Sequence, residues 1–155
     1  MLELTSLLEE AAAKTSARIL PGFVRSLQTD NYSCGAHCAY TILRYFGYPD
    51  TKKSVLLRLR NHDGLDEDQM RAFFRRKGLK PARLNKPNFR KLRKEIDAGF
   101  PVLISMDTDH WAVVCGYGKD CFYVMDPSIV RSLWVYHGIK RFRQRWDRQA
   151  MAIRA

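Results

Sequence analysis

Apolar residues recur at helical spacing in the first half of the chain, and at alternating or continuous spacing in the second half. Leu4, Leu7, Leu8 and Ala11 follow the i, i+3, i+4, i+7 pattern of a helix face. This pattern predicts an amphipathic first helix over Leu2–Ala13.

Three further helices are predicted before the pattern changes. The apolar segment Ala36–Phe46 is typical of a buried helix that ends at Gly47. In the segment GLDEDQMRAFFRRKGL, Asp66 has the side chain of an N-cap, acids lie in the first turn, bases lie in the last, and Gly78 is the stop. A third helix is predicted over Asn88–Ala98.

Strand patterns follow, and turn-forming Gly, Asp, Lys and Pro separate them. They are PVLISM, HWAVVCGY, CFYVMDP and SLWVYH. The segment IKRFRQRWDRQ then predicts a closing helix with Phe142 and Trp146 on one face. Helices followed by a mostly antiparallel sheet indicate an α+β fold, which we expect to form one domain over residues 1–155.

The composition is that of an ordinary globular chain, because 46% hydrophobic and 28% charged residues argue against disorder, collagen and coiled coil. The sequence contains neither a secretory signal nor the ~20 apolar residues of a membrane span. We therefore expect a cytoplasmic protein, unless a leaderless route exports it, with its 4 cysteines reduced. The net charge of +11 favours polyanions or simply gives a solvated basic surface.

The segment QTDNYSCGAHC places Cys34 at the predicted start of a helix. The helix N-terminus and a nearby imidazolium both stabilise a thiolate, which is the nucleophilic form of cysteine. Gly35 would leave the helix start open to a substrate carbonyl, so that a backbone N–H can stabilise an oxyanion. Gln28 lies close enough upstream to supply a second donor from its amide.

His110 is the best candidate for the base, since it begins the apolar strand HWAVVCGY, where a rigid sheet would hold the ring. His62 lies in a polar loop and His137 beside a glycine. Asp126 ends the next predicted strand, and an antiparallel hairpin returns that end to the start of the His110 strand. The spacing therefore predicts a carboxylate that orients the imidazole.

Other functions need features that the sequence supplies only in part. A zinc site would require four converging ligands, for example Cys34 and Cys38 with Cys115 and Cys121, whereas the last three fit core positions better. We expect His37 at the edge of the helix, and no metal or cofactor. A redox pair would need the C-x-x-C spacing. A basic module that binds nucleic acid or protein remains an alternative from the charge, although no RNA- or DNA-binding signature accompanies it.

The segments QTDNYSCGAHCAYTILRYFG, DGLDEDQMRAFFRRKGL and PVLISMDTDHWAVVCGYGKDCFYVMDP resemble the papain-like cysteine peptidases that process bacteriocin precursors behind double-glycine leaders, and their standalone relatives. The resemblance covers about residues 27–146. It implies a papain-like fold with Cys34 as nucleophile, Gln28 as oxyanion donor, His110 as base and Asp126 as its partner.

The resemblance further implies a thiol peptidase acting on a peptide or protein, with glycine preferred on the acyl side of the cut bond because the substrate threads a narrow channel. Acyl transfer, such as peptide ligation, would use the same residues and is the alternative enzyme activity.

Overall fold

The computed structural model describes residues 18–128 and 134–155. Within these ranges the helices are α1 Cys34–Tyr45, α2 Lys52–Arg58, α3 Glu67–Arg76, α4 Phe89–Asp97 and α5 Ile139–Arg145. The strands are β1 Arg18–Ile19, β2 Lys80–Arg83, β3 Val102–Met106, β4 His110–Gly118, β5 Cys121–Met125, β6 Trp134–Gly138 and β7 Trp146–Arg154. The predicted helix over Leu2–Ala13 lies outside the described residues.

The strands form one antiparallel sheet in the order β2-β7-β3-β4-β5-β6, and β1 pairs with β4 beside this path. Every residue of β3 and β5 is buried. Helix α1 packs against β4 and against α2. The predicted order of helices before a mostly antiparallel sheet is therefore confirmed. None of the described helices has the length and apolar character needed to cross a membrane.

The predicted helix boundaries in the first half are close to those observed. Asp66 caps α3 in a capping box with Gln69, and Gly78 follows the helix with a φ of +84°. Asn88 caps α4 by accepting a hydrogen bond from the backbone N–H of Lys91. Helix α2 and strand β2 were not predicted, since α2 is short and β2 contains Pro81. Among the described strands β2 lies at the edge of the sheet beside β7, a position that tolerates proline.

The prediction of one closing helix over IKRFRQRWDRQ is wrong in its second half. Helix α5 ends at Arg145, and Trp146 begins β7, which occupies the sheet position between β2 and β3. Pairing on both sides outweighs the local helical pattern, because β7 completes the ladder of two neighbouring strands. The Phe142 and Trp146 rings nevertheless lie in contact, with centroids 5.5 Å apart.

An aromatic cluster fixes α5 against the sheet. Phe142 stacks on Phe122 with ring centroids 4.8 Å apart, and Phe89 lies 5.4 Å from Phe122. Phe122 and Phe142 are fully buried. This packing holds the end of α5 and the start of β7 in a defined place, close to the first residue of β4.

Candidate active site

Cys34 is the first residue of α1 and is 7% exposed. The turn that leads into the helix is shaped by Asp30, whose carboxylate accepts hydrogen bonds from the backbone N–H groups of Tyr32 at 3.0 Å and Ser33 at 2.7 Å. The Ser33 side chain makes no capping bond. The thiol therefore sits at a helix N-terminus, as predicted, and faces a cleft.

This cleft has a volume of about 490 Å³. Its lining includes Cys34, Leu65, Asp109 and Trp111, together with Asn31, Tyr32, His62, Asp63, Gly64, Asp66, Glu67, Thr108 and Gln149.

His110 is the first residue of β4, and Asp126 directly follows β5. The antiparallel register places Met125 opposite Val113, so the end of β5 returns to the start of β4. The Nε2 atom of His110 lies 2.5 Å from Oδ1 of Asp126, which also accepts a hydrogen bond from the backbone N–H of Ser128 at 2.9 Å. Asp126 is fully buried. The predicted hairpin thus brings these two side chains together.

The His110 ring also interacts with the Cys34 thiol. Burial lowers the pKa of His110, but hydrogen bonds to Asp126 and to the Cys34 thiol, with the charges of both groups, outweigh it and raise that pKa to about 9. Because Nε2 is engaged with Asp126, Nδ1 is the atom left for the sulfur. A ring that is protonated at neutral pH stabilises negative charge on the adjacent sulfur.

Gln28 is 7% exposed and is held in the site by two hydrogen bonds. Its backbone N–H donates to the carbonyl of Pro127, one residue after Asp126, at 2.8 Å. Its side-chain Nε2 donates one hydrogen to the carbonyl of Asp30 at 2.8 Å. An amide nitrogen carries two hydrogens, so the bond to Asp30 uses only one of them.

Gly35 serves close packing rather than an open helix start. A β-carbon at this position would lie 3.0 Å from Cδ1 of Leu65, 3.2 Å from Sδ of Met70 and 3.2 Å from Cδ1 of Trp111. Trp111 is fixed by a 2.8 Å hydrogen bond from Nε1 to the carbonyl of Leu65. The cleft wall therefore packs directly against the start of α1. Sequence reasoning missed Leu65 and Trp111 because neither side chain carries a reactive group.

The other three cysteines lie in the core. Cys38 is fully buried, and burial together with nearby Cys34 and Asp126 raises its pKa. The Cys115 thiol donates to the carbonyl of Tyr123 at 3.5 Å, and burial raises its pKa to about 12. In residues 18–128 and 134–155, no group of three or more His, Cys, Asp or Glu side chains is arranged to hold a metal ion.

The expectation that His37 lies at the helix edge is wrong. It is 4% exposed, and its Nδ1 lies 2.6 Å from the hydroxyl of Ser26. Burial, with repulsion from Lys52, lowers the pKa of His37 to about 4. All residues from Cys34 to Leu43 are buried, so the helix has no polar edge in its first part.

Arg145 was not singled out from the sequence either. Its Nη2 lies 3.0 Å from Oδ2 of Asp107 and 3.8 Å from Oδ2 of Asp126. The contact joins residues on distant parts of the chain, and the only local signal is the turn-forming segment DTD before His110. That turn has positive φ angles at Asp107 (51°) and Thr108 (72°).

Comparison with known proteins gives one family. The profile of the Peptidase C39 family matches residues 23–155. A search of curated proteins finds no match.

Several solved structures share the fold. A double-glycine-motif protease from an AMS/PCAT transporter, in complex with the leader peptide, has a TM-score of 0.72 at 18% identity, covering 89% of this chain and 97% of its own. The peptidase domain of Streptococcus ComA has a TM-score of 0.70 at 16% identity, covering 83% and 96%. The N-terminal peptidase C39-like domain of a toxin-secretion ATP-binding protein from Vibrio parahaemolyticus has 0.62 at 12%, covering 81% and 98%.

Proposed function

The chain belongs to the Peptidase C39 family and is a cysteine peptidase, and on that premise we propose that Cys34 is its nucleophile, with His110 as general acid and base and Asp126 as the orienting carboxylate. The observation that carries the proposal is the His110 ring, whose Nε2 lies 2.5 Å from Oδ1 of Asp126 and whose pKa is raised by that carboxylate and by the Cys34 thiol. Such an arrangement, with a nucleophile, a base and a third group that orients the base, is the signature of covalent catalysis.

The reaction would begin from a thiolate and an imidazolium. The Cys34 sulfur attacks the carbonyl carbon of the scissile peptide bond, and the carbonyl oxygen becomes an oxyanion. The imidazolium of His110 gives its proton to the leaving amine, and the C–N bond breaks to leave a thioester on Cys34. The neutral ring then takes a proton from water, whose oxygen attacks the thioester and releases the acid and the Cys34 thiolate, which restores the starting ion pair.

Two donors would stabilise the oxyanion. The backbone N–H of Cys34 is at the free start of α1, where helix N–H groups have no intrahelical partner. The second amide hydrogen of Gln28 is the other, and the bond from Gln28 to Asp30 fixes the side chain in advance. Preorganised donors of this kind are worth roughly 10²–10³ in rate each.

For the substrate we propose a peptide with glycine on the acyl side of the cut bond, as in a double-glycine leader. A relative of similar fold was solved with a leader peptide bound. Leu65 and Trp111 line the cleft together with Cys34 and pack against Gly35, so the proposed nucleophile lies next to this wall. A β-carbon that displaces the scissile carbonyl by about 1 Å would cost ~10²-fold in rate.

The test is a cleavage series on peptides that end in Gly-Gly, Gly-Ala, Ala-Ala or Leu-Leu before the scissile bond. Cys34→Ala is the blank, and Cys38→Ala is the matched control because Cys38 is one turn further along α1 and buried. We expect cleavage of Gly-Gly peptides by the wild type and Cys38→Ala, and none by Cys34→Ala. Equal cleavage of Leu-Leu would reject the glycine preference alone, whereas an active Cys34→Ala variant would reject the nucleophile.

A further inference from the structure

We propose that Arg145 is a positioning residue that holds the Asp126 carboxylate against His110. The inference rests on the proposed function, because it assigns a role relative to that triad. Arg145 is the last residue of α5, and its side chain is 17% exposed.

The two oxygens of Asp126 have different surroundings. Oδ1 accepts hydrogen bonds from the His110 ring and from the backbone of Ser128. Oδ2 is buried and has no hydrogen-bond partner among the described residues. Leaving a charged oxygen buried and unpaired is costly, and an opposite charge nearby reduces that cost. The cation that the structure brings to Oδ2 is Arg145, whose Nη2 is 3.8 Å away.

Arg145 is itself held by Asp107. Its Nη2 and Nε atoms donate to Oδ2 of Asp107 at 3.0 and 3.2 Å. The backbone N–H of Asp107 in turn donates to the carbonyl of Arg145 at 2.9 Å. The guanidinium is therefore fixed between two carboxylates, a non-reacting one at the edge and the buried one of the site.

The junction between α5 and β7 also holds the turn that precedes His110. Oδ2 of Asp147 accepts hydrogen bonds from the Ser105 hydroxyl at 2.7 Å and from the Thr108 backbone N–H at 2.8 Å. Asp107 and Thr108 adopt the left-handed conformation, which non-glycine residues rarely take without outside support. The end of α5 and the start of β7 thus position both sides of the His110–Asp126 pair.

Two possible roles of Arg145 predict opposite changes in the pKa of His110 when the guanidinium is removed. If Arg145 only adds positive charge, its loss raises the pKa of His110, because a repelling cation disappears. If it holds the carboxylate in place, its loss lets Asp126 rotate away and weakens the bond that raises that pKa, so the pKa falls from about 9. The charged and titratable groups around His110 are Asp126 and the Cys34 thiol, and beyond Asp126 lie Arg145 and its partner Asp107.

The experiment compares Arg145→Met with Arg145→Lys and with Arg143→Met. Arg143 lies on the same helix, but its guanidinium lies 5.1 Å from the ring of Phe89. For each folded variant, kcat and KM are measured on the Gly-Gly peptide, and the His110 ring is titrated by NMR. We expect Arg145→Met to lower kcat roughly 10- to 100-fold with KM within about twofold, since a misplaced base affects the chemical step.

We also expect the pKa of His110 to fall by about one unit in Arg145→Met, and to recover in part in Arg145→Lys. An unchanged kcat and pKa, an upward shift, or equal effects of Arg143→Met would overturn the proposal. If Arg145→Met does not fold, Asp107→Asn decides it: this variant removes the anchor of Arg145 and should shift the His110 pKa down as well, whereas no shift would reject the proposal.

The titration needs no substrate, so it separates this inference from the proposed function. A wild type that cuts no peptide would count against the function, while the direction of the His110 shift would still test Arg145.

Discussion

The buried His37 and the half-buried His110 show how neighbours, rather than burial alone, decide the charge of an imidazole. His37 faces the Ser26 hydroxyl inside the core, and burial, aided by Lys52, lowers its pKa to about 4. Burial also lowers the pKa of His110, but its partners are Asp126 and Cys34, and together they raise it to about 9. At neutral pH one ring is therefore neutral and the other is protonated.

The difference separates a structural region from a chemical one. A hydroxyl can bond a neutral ring but brings no charge to offset the loss of water, so the folded protein excludes the proton. A buried carboxylate brings a full negative charge, so the folded protein keeps the proton on His110. Only the second environment can store a proton for a leaving group.

Replacing each ring in turn by glutamine should separate the two histidines most strongly. His110→Gln removes the acid and base, and we expect kcat to fall on the order of 10²–10⁴-fold. His37→Gln should leave kcat within about twofold because His37 takes no part in the chemistry. Cleavage of the Gly-Gly peptide by the two folded variants checks this, and similar losses in both would contradict the distinction.

Asp126→Asn tests the effect of the carboxylate charge, because it gives His110 a neutral partner such as His37 has. Loss of the carboxylate removes both the strongest hydrogen bond and the charge that raise the pKa of His110. We expect kcat to fall roughly 10²-fold and the alkaline limit of activity to move to lower pH. A pH–rate profile with the same alkaline limit as wild type would show that Asp126 does not set the charge of His110.

His37 should make the folded protein sensitive to mild acid. Its folded pKa of about 4 lies below the unfolded value of 6.5, so between these values the unfolded chain binds a proton that the folded chain does not. The contribution of His37 is complete above pH 6.5 and is lost as the pH falls toward 4. We expect the free energy of unfolding of wild type, relative to His37→Gln, to drop by on the order of 2 kcal/mol over this window. Urea unfolding at several pH values measures it, and a constant difference would refute it.

The protein should fold without a bound metal, so removing metal should leave its stability almost unchanged. A structural zinc site contributes folding free energy outright, so a chelator would unfold a protein that needed one. We expect an unchanged Tm with chelator and no stoichiometric zinc in the purified protein. Loss of structure on chelation would instead assign the cysteines of α1 to a metal.

The sequence was most informative where the relevant structure is local. The pairing of His110 with Asp126 follows from one hairpin, and Cys34 from one helix start, so both could be placed by counting residues. The role of each in catalysis is a proposal that the geometry supports. Strand β7 was missed because its place depends on β2 and β3, which lie far from it in sequence.

The prediction that His37 lies at the helix edge was wrong for a related reason. A helix buried on all sides has no polar stripe from which inner and outer faces can be told apart. Arg145 reaches Asp126 only because α5 packs through Phe142 onto Phe122, and no sequence period records such a contact. The positions of His37 and Arg145 therefore depend on long-range packing, which local sequence patterns do not reveal.

The assignment of Cys34 as the nucleophile is tested by the rate at which each of the four thiols reacts with an alkylating probe in the folded protein at pH 6. Cys34 lines the cleft beside a protonated His110, whereas Cys38, Cys115 and Cys121 lie in the core. Peptide mass spectrometry should find Cys34 labelled first, with peptidase activity lost in proportion and Cys38→Ala behaving as wild type. Equal labelling of all four thiols, or activity that survives full labelling of Cys34, would contradict Cys34 as the nucleophile.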